Sequence, residues 1–73
     1  MDAKKLELTI KTIMLECGGL TGVDAGRILH TSPSNYNRKL REGTLRATEL
    51  INLLNGLGYK IYVDGNGERR ELR

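Results

Sequence analysis

Ser32-Pro33 is the sharpest helix-start signal in the sequence. Serine is a preferred N-cap residue, and the fixed φ of proline suits the first position of a helix. The helix is predicted to run as far as Gly43, which ends it because glycine accepts positive φ. Only Tyr36 and Leu40, one helical turn apart, are apolar within it. One narrow stripe of this helix is therefore expected to be buried, and the rest of its surface is polar.

A shorter helix is predicted directly before this one. It begins after Thr21, a good N-cap residue, and Asp24 can act as the acid of a capping box. It runs from Gly22 to about Leu29 or His30. Its buried side is formed by Ala25, Ile28 and Leu29.

Two residues of this segment predict a tight turn between the two helices. Gly26 lies in the middle of a helix, where glycine costs about 1 kcal/mol relative to alanine, so another segment is expected to pack very close to it. His30 lies where the chain must turn, and histidine is among the residues that tolerate the left-handed conformation.

Longer apolar patterns predict a helix on each side of this pair. The first helix spans about Asp2 to Cys17, and its apolar face is Leu6, Ile10, Ile13, Met14 and Cys17. Gly18-Gly19 ends it. The fourth helix starts near Thr48 and stops at Gly58, and its inner face is Leu50, Leu53, Leu54 and Leu57.

The C-terminal residues change to a strand pattern. Tyr59–Val63 alternates and is rich in β-forming residues, and residues 64–67 are a strong turn signal. A turn centred on Asn66-Gly67 would place Ile61 opposite Leu72, although other registers and a fraying charged tail stay open. The predicted fold class is mainly α: one four-helix domain over residues 1–73, with a C-terminal strand or hairpin over residues 59–72.

Length and composition agree with a small intracellular protein. A chain of 73 residues buries a limited core, and oligomerisation is a common remedy. Cys17 is the only cysteine, so no disulfide forms within the chain and a reducing cytoplasm is expected. No run of about 18 apolar residues and no signal pattern is present, so no membrane association is expected. The compactness suggests a prokaryotic or phage protein.

No set of residues suggests catalysis. His30 is the only histidine, and a second cysteine, a phosphate-binding glycine loop and an evident pair of catalytic acids are absent from the sequence. Cys17 is interpreted as core filler and His30 as a turn residue. We expect no enzyme activity, no metal and no cofactor.

Basic residues cluster at the end of the third helix. The net charge of +3 is modest, but residues 38–46 contain four basic residues and one acid. A solvated face is the simple interpretation of such a run. Next to two short helices joined by a tight turn, it instead indicates contact with nucleic acid.

The ordered pattern over residues 20–40 resembles the phage repressor and Cro-type helix-turn-helix family, also called the xenobiotic-response-element family. That stretch reads LTGVDAGRILHTSPSNYNRKL, and the resemblance extends through Gly43, the leucine-rich fourth helix and Leu57-Gly58-Tyr59, over about residues 4 to 63. It implies a repressor-like fold with the motif over about residues 21–42. The chain departs from common family residues at Ala25, Gly26, His30, Thr31 and Tyr36.

The resemblance also implies roles for single residues. Thr21, at the start of the first motif helix, would contact phosphate. Pro33 and Ser34 would form the tip that enters the major groove. Arg38 suits guanine, and Asn37 or Asn35 suits adenine. The residues that would contact backbone phosphates after the third helix are Lys39, Arg41, Thr44 and Arg46.

The leading functional hypothesis is a transcriptional repressor that binds a palindromic DNA operator as a homodimer. Two reading helices about 34 Å apart would reach half-sites one helical turn apart. The dimer contact is expected either at the strand over residues 59–63 or at the fourth helix, through Leu53 or Leu57. The alternatives are a protein-binding module on the same fold, such as an antitoxin or a phage-encoded inhibitor, and a nucleic-acid module with little sequence preference.

Overall fold

Four helices and an antiparallel hairpin follow one another along the chain in a computed structural model that describes residues 1–73. This confirms the predicted fold class. The elements are α1 (Ala3–Glu16), α2 (Gly22–Leu29), α3 (Pro33–Glu42), α4 (Ala47–Gly56), β1 (Ile61–Gly65) and β2 (Glu68–Leu72). None of the helices has the length and hydrophobicity needed to cross a membrane.

Local sequence signals set the ends of α1. The Asp2 carboxylate accepts a hydrogen bond from the Lys5 backbone N–H at 2.8 Å, so Asp2 is the N-cap. Cys17 is the C-cap, and Gly18 and Gly19 follow with φ of 106° and 78°. The helix is therefore one residue shorter at each end than the predicted span, because the two end residues are caps.

The core lies where α1, α2, α3 and α4 meet. The Tyr36 hydroxyl donates a hydrogen bond to the Met14 sulfur at 3.6 Å, deep between α3 and α1. Both apolar residues of α3 are thus buried, as predicted, which leaves the rest of that helix outside. The fully buried cluster consists of Ile10, Met14, Ala25, Tyr36, Leu40 and Leu53.

The burial of Leu53 corrects one expectation about the dimer. Leu53 is 0% exposed and packs inside its own chain. Leu57 is half-buried and also packs against this core. A dimer contact through Leu53 is therefore wrong, because the core of a single copy already encloses that side chain.

The turn between α2 and α3 has the close packing that the sequence predicted. A Cβ atom on Gly26 would lie 2.6 Å from the Thr31 carbonyl oxygen. His30 takes the left-handed conformation with φ of 56°. Gly56 plays a similar part between helices, since a Cβ there would lie 2.6 Å from Cγ2 of Ile28. These contacts set α2 close to both α3 and α4.

The C-terminal residues form a complete hairpin. Ile61 lies opposite Leu72, which confirms the register expected from a turn at Asn66-Gly67 and excludes the frayed tail. The strand begins at Ile61 and not at Tyr59. The Tyr59 backbone N–H donates to the Leu54 carbonyl at 2.9 Å, so Tyr59 belongs to the end of α4.

Candidate nucleic-acid interface

The start of α2 is a complete capping box. The Thr21 hydroxyl accepts from the Val23 backbone N–H at 3.3 Å, and the Thr21 backbone N–H donates to the Asp24 carboxylate at 2.8 Å. That backbone hydrogen bond is the main reason that the pKa of Asp24 lies below its ordinary value of 3.8. Thr21 itself is exposed. The capping box therefore holds the first turn of α2 in place at the surface.

The start of α3 is capped and accessible. The Ser32 hydroxyl accepts from the Asn35 backbone N–H at 3.1 Å, and Pro33 is the first helical residue. Ser32, Pro33 and Ser34 are all exposed. The predicted tip of the reading helix is therefore free of contacts that would cover it.

Arg38 is on the side of α3 opposite the buried stripe, because a helix repeats every 3.6 residues. Its guanidinium makes two contacts along the same helix. Nη1 lies 3.1 Å from Oε1 of Glu42, and Nη2 donates to Oδ1 of Asn35 at 2.6 Å. The Arg38 side chain is still 50% exposed. The predicted guanine-reading residue thus faces solvent with part of its hydrogen-bonding capacity already used.

The two asparagines predicted to read adenine differ in their surroundings. Asn35 is half-buried, and its amide nitrogen donates to the Thr31 hydroxyl at 2.8 Å while its oxygen accepts from Arg38. Asn37 is exposed and lies against Gly22, where a Cβ atom would come within 2.7 Å of its Oδ1. Gly22 thus leaves room for Asn37, and Asn37 is the better placed of the two to meet a base.

A cavity of about 310 Å³ opens beside Asn37, between the second half of α1, the start of α2 and the middle of α3. Lys11, Thr21 and Asn37 lie at its polar edge. Lys11 and Gly22 are the site residues that sequence reasoning missed. Lys11 is on the polar face of α1, but only the packing of α1 against α3 brings it beside the motif.

Lys39 is less exposed than the other basic residues of α3, Arg38 and Arg41. Its Nζ lies 3.1 Å from Oε2 of Glu49 on α4, and the two side chains are only 26% and 22% exposed. Oε1 of Glu49 accepts the Arg46 backbone N–H at 2.9 Å. That hydrogen bond, followed by the Lys39 contact, lowers the pKa of Glu49 below its ordinary value of 4.5. Lys39 therefore ties α3 to α4 in this structure.

The end of α3 and the loop after it present the remaining predicted residues. Gly43 has φ of 72°, and the Thr44 backbone N–H donates to the Lys39 carbonyl at 2.9 Å. Arg41, Thr44 and Arg46 are exposed. The structure thus leaves eight of the ten predicted contact residues exposed, and only Asn35 and Lys39 are half-buried.

Comparisons of the chain with protein-family models, with curated proteins and with solved structures return no match. What this surface can do is therefore inferred from its own geometry.

Proposed function

We propose that this chain is a sequence-specific DNA-binding regulator of the repressor and Cro type, which places α3 in the major groove. One observation carries the proposal: α3 buries only Tyr36 and Leu40 and presents a capped tip and an exposed arginine on its other side. The major groove of B-DNA, about 12 Å wide, admits an α-helix. A helix with so narrow a buried stripe can enter the groove without exposing the hydrophobic core of its own chain.

Base reading falls to three exposed side chains of α3. Arg38 can donate two hydrogen bonds to the O6 and N7 acceptors of guanine, and the amide of Asn37 suits the N6 and N7 groups of adenine. Ser34, near the tip, can contact either type of base. Pro33 lacks a backbone N–H and contributes only shape.

Phosphate contacts would surround these base contacts. Thr21 is exposed at the start of α2, where the helix dipole favours an anion, although the capping box already uses the backbone N–H groups of Thr21 and Val23. Arg41, Thr44 and Arg46 are exposed at the other end of α3. Contacts of this kind fix the orientation of a protein on DNA without reading its sequence.

A homodimer would present two copies of α3 to a palindromic operator. An isolated two-stranded hairpin is at best marginally stable in water, and this one leaves Tyr62 47% and Val63 53% exposed. A second copy that pairs along the hairpin would cover these residues and satisfy an open strand edge. As a repressor, the dimer would act in a prokaryotic cytoplasm without catalysis or a cofactor.

Two arginine variants test the proposal on DNA recovered by selection. We expect Arg38→Ala to lose about 1–3 kcal/mol on the cognate site and to relax specificity at one base position. We expect Arg46→Ala to weaken binding to all sequences alike, because a phosphate contact carries no sequence information. If both variants bind cognate DNA like the parent chain in a titration, the proposed DNA-reading face is wrong.

A protein-binding module on the same fold, such as an antitoxin or an inhibitor, is the second candidate. Leu8 and Leu15 favour it, because they lie on one face of α1 and are 57% and 69% exposed. A chain that only binds protein should tolerate the loss of Asn37 and Arg38. Its partner binding should instead fail when Leu8 and Leu15 are changed together to serine.

A further inference from the structure

We propose that Asn35 and Glu42 are positioning residues for Arg38, and that Glu42 is a specificity determinant because it withholds Arg38 from DNA phosphates. The inference rests on the proposed function and concerns the same helix face. A chain of side-chain contacts carries it. The Thr31 hydroxyl, the Asn35 amide, the Arg38 guanidinium and the Glu42 carboxylate follow one another at 2.8, 2.6 and 3.1 Å.

The contact with Thr31 fixes the orientation of the Asn35 amide. Asn35 donates through its nitrogen to the Thr31 hydroxyl, so its oxygen is directed towards Arg38. With the amide reversed, its nitrogen would face the guanidinium, and two donors would oppose each other. Asn35 therefore acts on DNA through Arg38, and this replaces the expectation that it reads adenine itself.

Arg38 keeps enough donors to read a base while both contacts persist. A guanidinium carries five N–H groups, and the contacts with Asn35 and Glu42 use one each. A guanine needs two more. Because both contacts already hold the guanidinium, Arg38 has less rotamer freedom left to lose when it meets a base.

Glu42 disfavours contacts between Arg38 and the phosphates of DNA. If Arg38 turned towards a phosphate, it would leave Glu42 and expose a carboxylate beside the DNA backbone, where like charges repel. A guanine contact can leave the ion pair intact. Helix stability gives only a weak reason for an acid at this position, because the unfavourable effect of a negative charge in the last turn opposes the gain from the i,i+4 pair with Arg38.

Glu42→Gln is the direct test, with Glu7→Gln as its matched control. Glu7 forms a similar i,i+4 pair with Lys11 on α1, at 3.0 Å, so both variants remove one charge from a helix-surface pair. For Glu42→Gln we expect tighter binding to random DNA, with a salt slope steeper by about 0.9, as for one added phosphate contact. We expect the base preference at the position that Arg38 reads to fall about five- to tenfold. We expect Glu7→Gln, which frees Lys11 at the edge of the same surface, to steepen the salt slope as well but to leave the base preference unchanged.

Asn35→Ala supplies a second, charge-neutral test. It should relax the preference at the same base position as Glu42→Gln while the salt slope stays that of the parent chain. A parent chain that selects no sequence would overturn the proposed function together with this inference. A parent chain that selects a sequence, with a base preference in Glu42→Gln no lower than in Glu7→Gln, would overturn this inference alone.

Discussion

Gly26 and Gly22 each make room for a neighbouring group that packs close to α2. The Thr31 carbonyl oxygen lies 2.6 Å from where a Cβ atom at position 26 would be, and Oδ1 of Asn37 lies 2.7 Å from where a Cβ atom at position 22 would be. A carbonyl fixed in the backbone cannot move aside, whereas an exposed side chain can. Position 26 is therefore the stricter of the two.

Gly26→Ala should destabilise the chain, although alanine is the better helix former by about 1 kcal/mol. The added methyl group would approach the Thr31 oxygen to 2.6 Å and force the turn apart. We expect a net loss of about 1–3 kcal/mol in the free energy of unfolding, measured by urea denaturation. Gly65→Ala is the control, because a Cβ there meets nothing within 4 Å. Increased stability in Gly26→Ala would contradict the close approach.

Helix ends were predictable because they depend on residues adjacent in the chain. Ser32 caps α3, His30 takes the left-handed turn and Gly43 ends α3, each as its residue type indicated. Strand β1 was predicted to begin too early, because Tyr59 has a high β propensity but closes the end of α4 through a backbone hydrogen bond. At Tyr59, the backbone hydrogen bond that closes α4 outweighs the β propensity of tyrosine.

The composition of the site was predictable, but the contacts between its side chains were not. The exposed face of α3 follows from one apolar stripe and a period of 3.6 residues. The Lys39–Glu49 pair depends on how α3 packs on α4, and the position of Lys11 depends on how α1 packs on α3. Sequence spacing alone does not define such contacts between elements.

Glu49→Gln should weaken the junction between α3 and α4 in a pH-dependent way. The pKa of Glu49 is lowered in the folded chain, so its charge stabilises the fold above its ordinary value of 4.5 and this contribution is lost as pH falls through the lower folded value. We expect the variant to be less stable than the parent at pH 7 and the two to converge as the pH falls below 4.5 and through the lower pKa of the folded chain. Thermal unfolding across this range measures the difference. A constant difference would contradict the assignment.

The hairpin makes few contacts with the helices and leaves apolar side chains exposed at one end of the molecule. The protein extends 40 Å along its longest axis and 24 and 21 Å across it. The hairpin packs against α4 and receives one side-chain hydrogen bond from the body, from Asn55 to the Leu72 carbonyl at 3.4 Å. With Leu53 enclosed in the core, this hairpin is the surface that we propose for pairing with a second copy.

Val63→Asp should shift a dimer towards the 8.2 kDa monomer, because it places a charge in the proposed contact. Val23→Asp is the matched control: Val23 is 48% exposed on α2, close to the 53% of Val63, and lies outside the hairpin. Sedimentation equilibrium distinguishes the two states. A parent chain that stays monomeric, or equal behaviour of the two variants, would rule out the hairpin as the dimer contact.

Selection of bound sequences from a random pool of double-stranded DNA shows whether α3 reads bases and whether two copies bind together. If α3 reads the major groove and two copies bind together, the recovered sequences should share a palindrome with half-sites about one helical turn apart. A guanine preference in each half-site should disappear when the selection is repeated with Arg38→Ala. No enrichment from the parent chain at moderate salt would contradict the account.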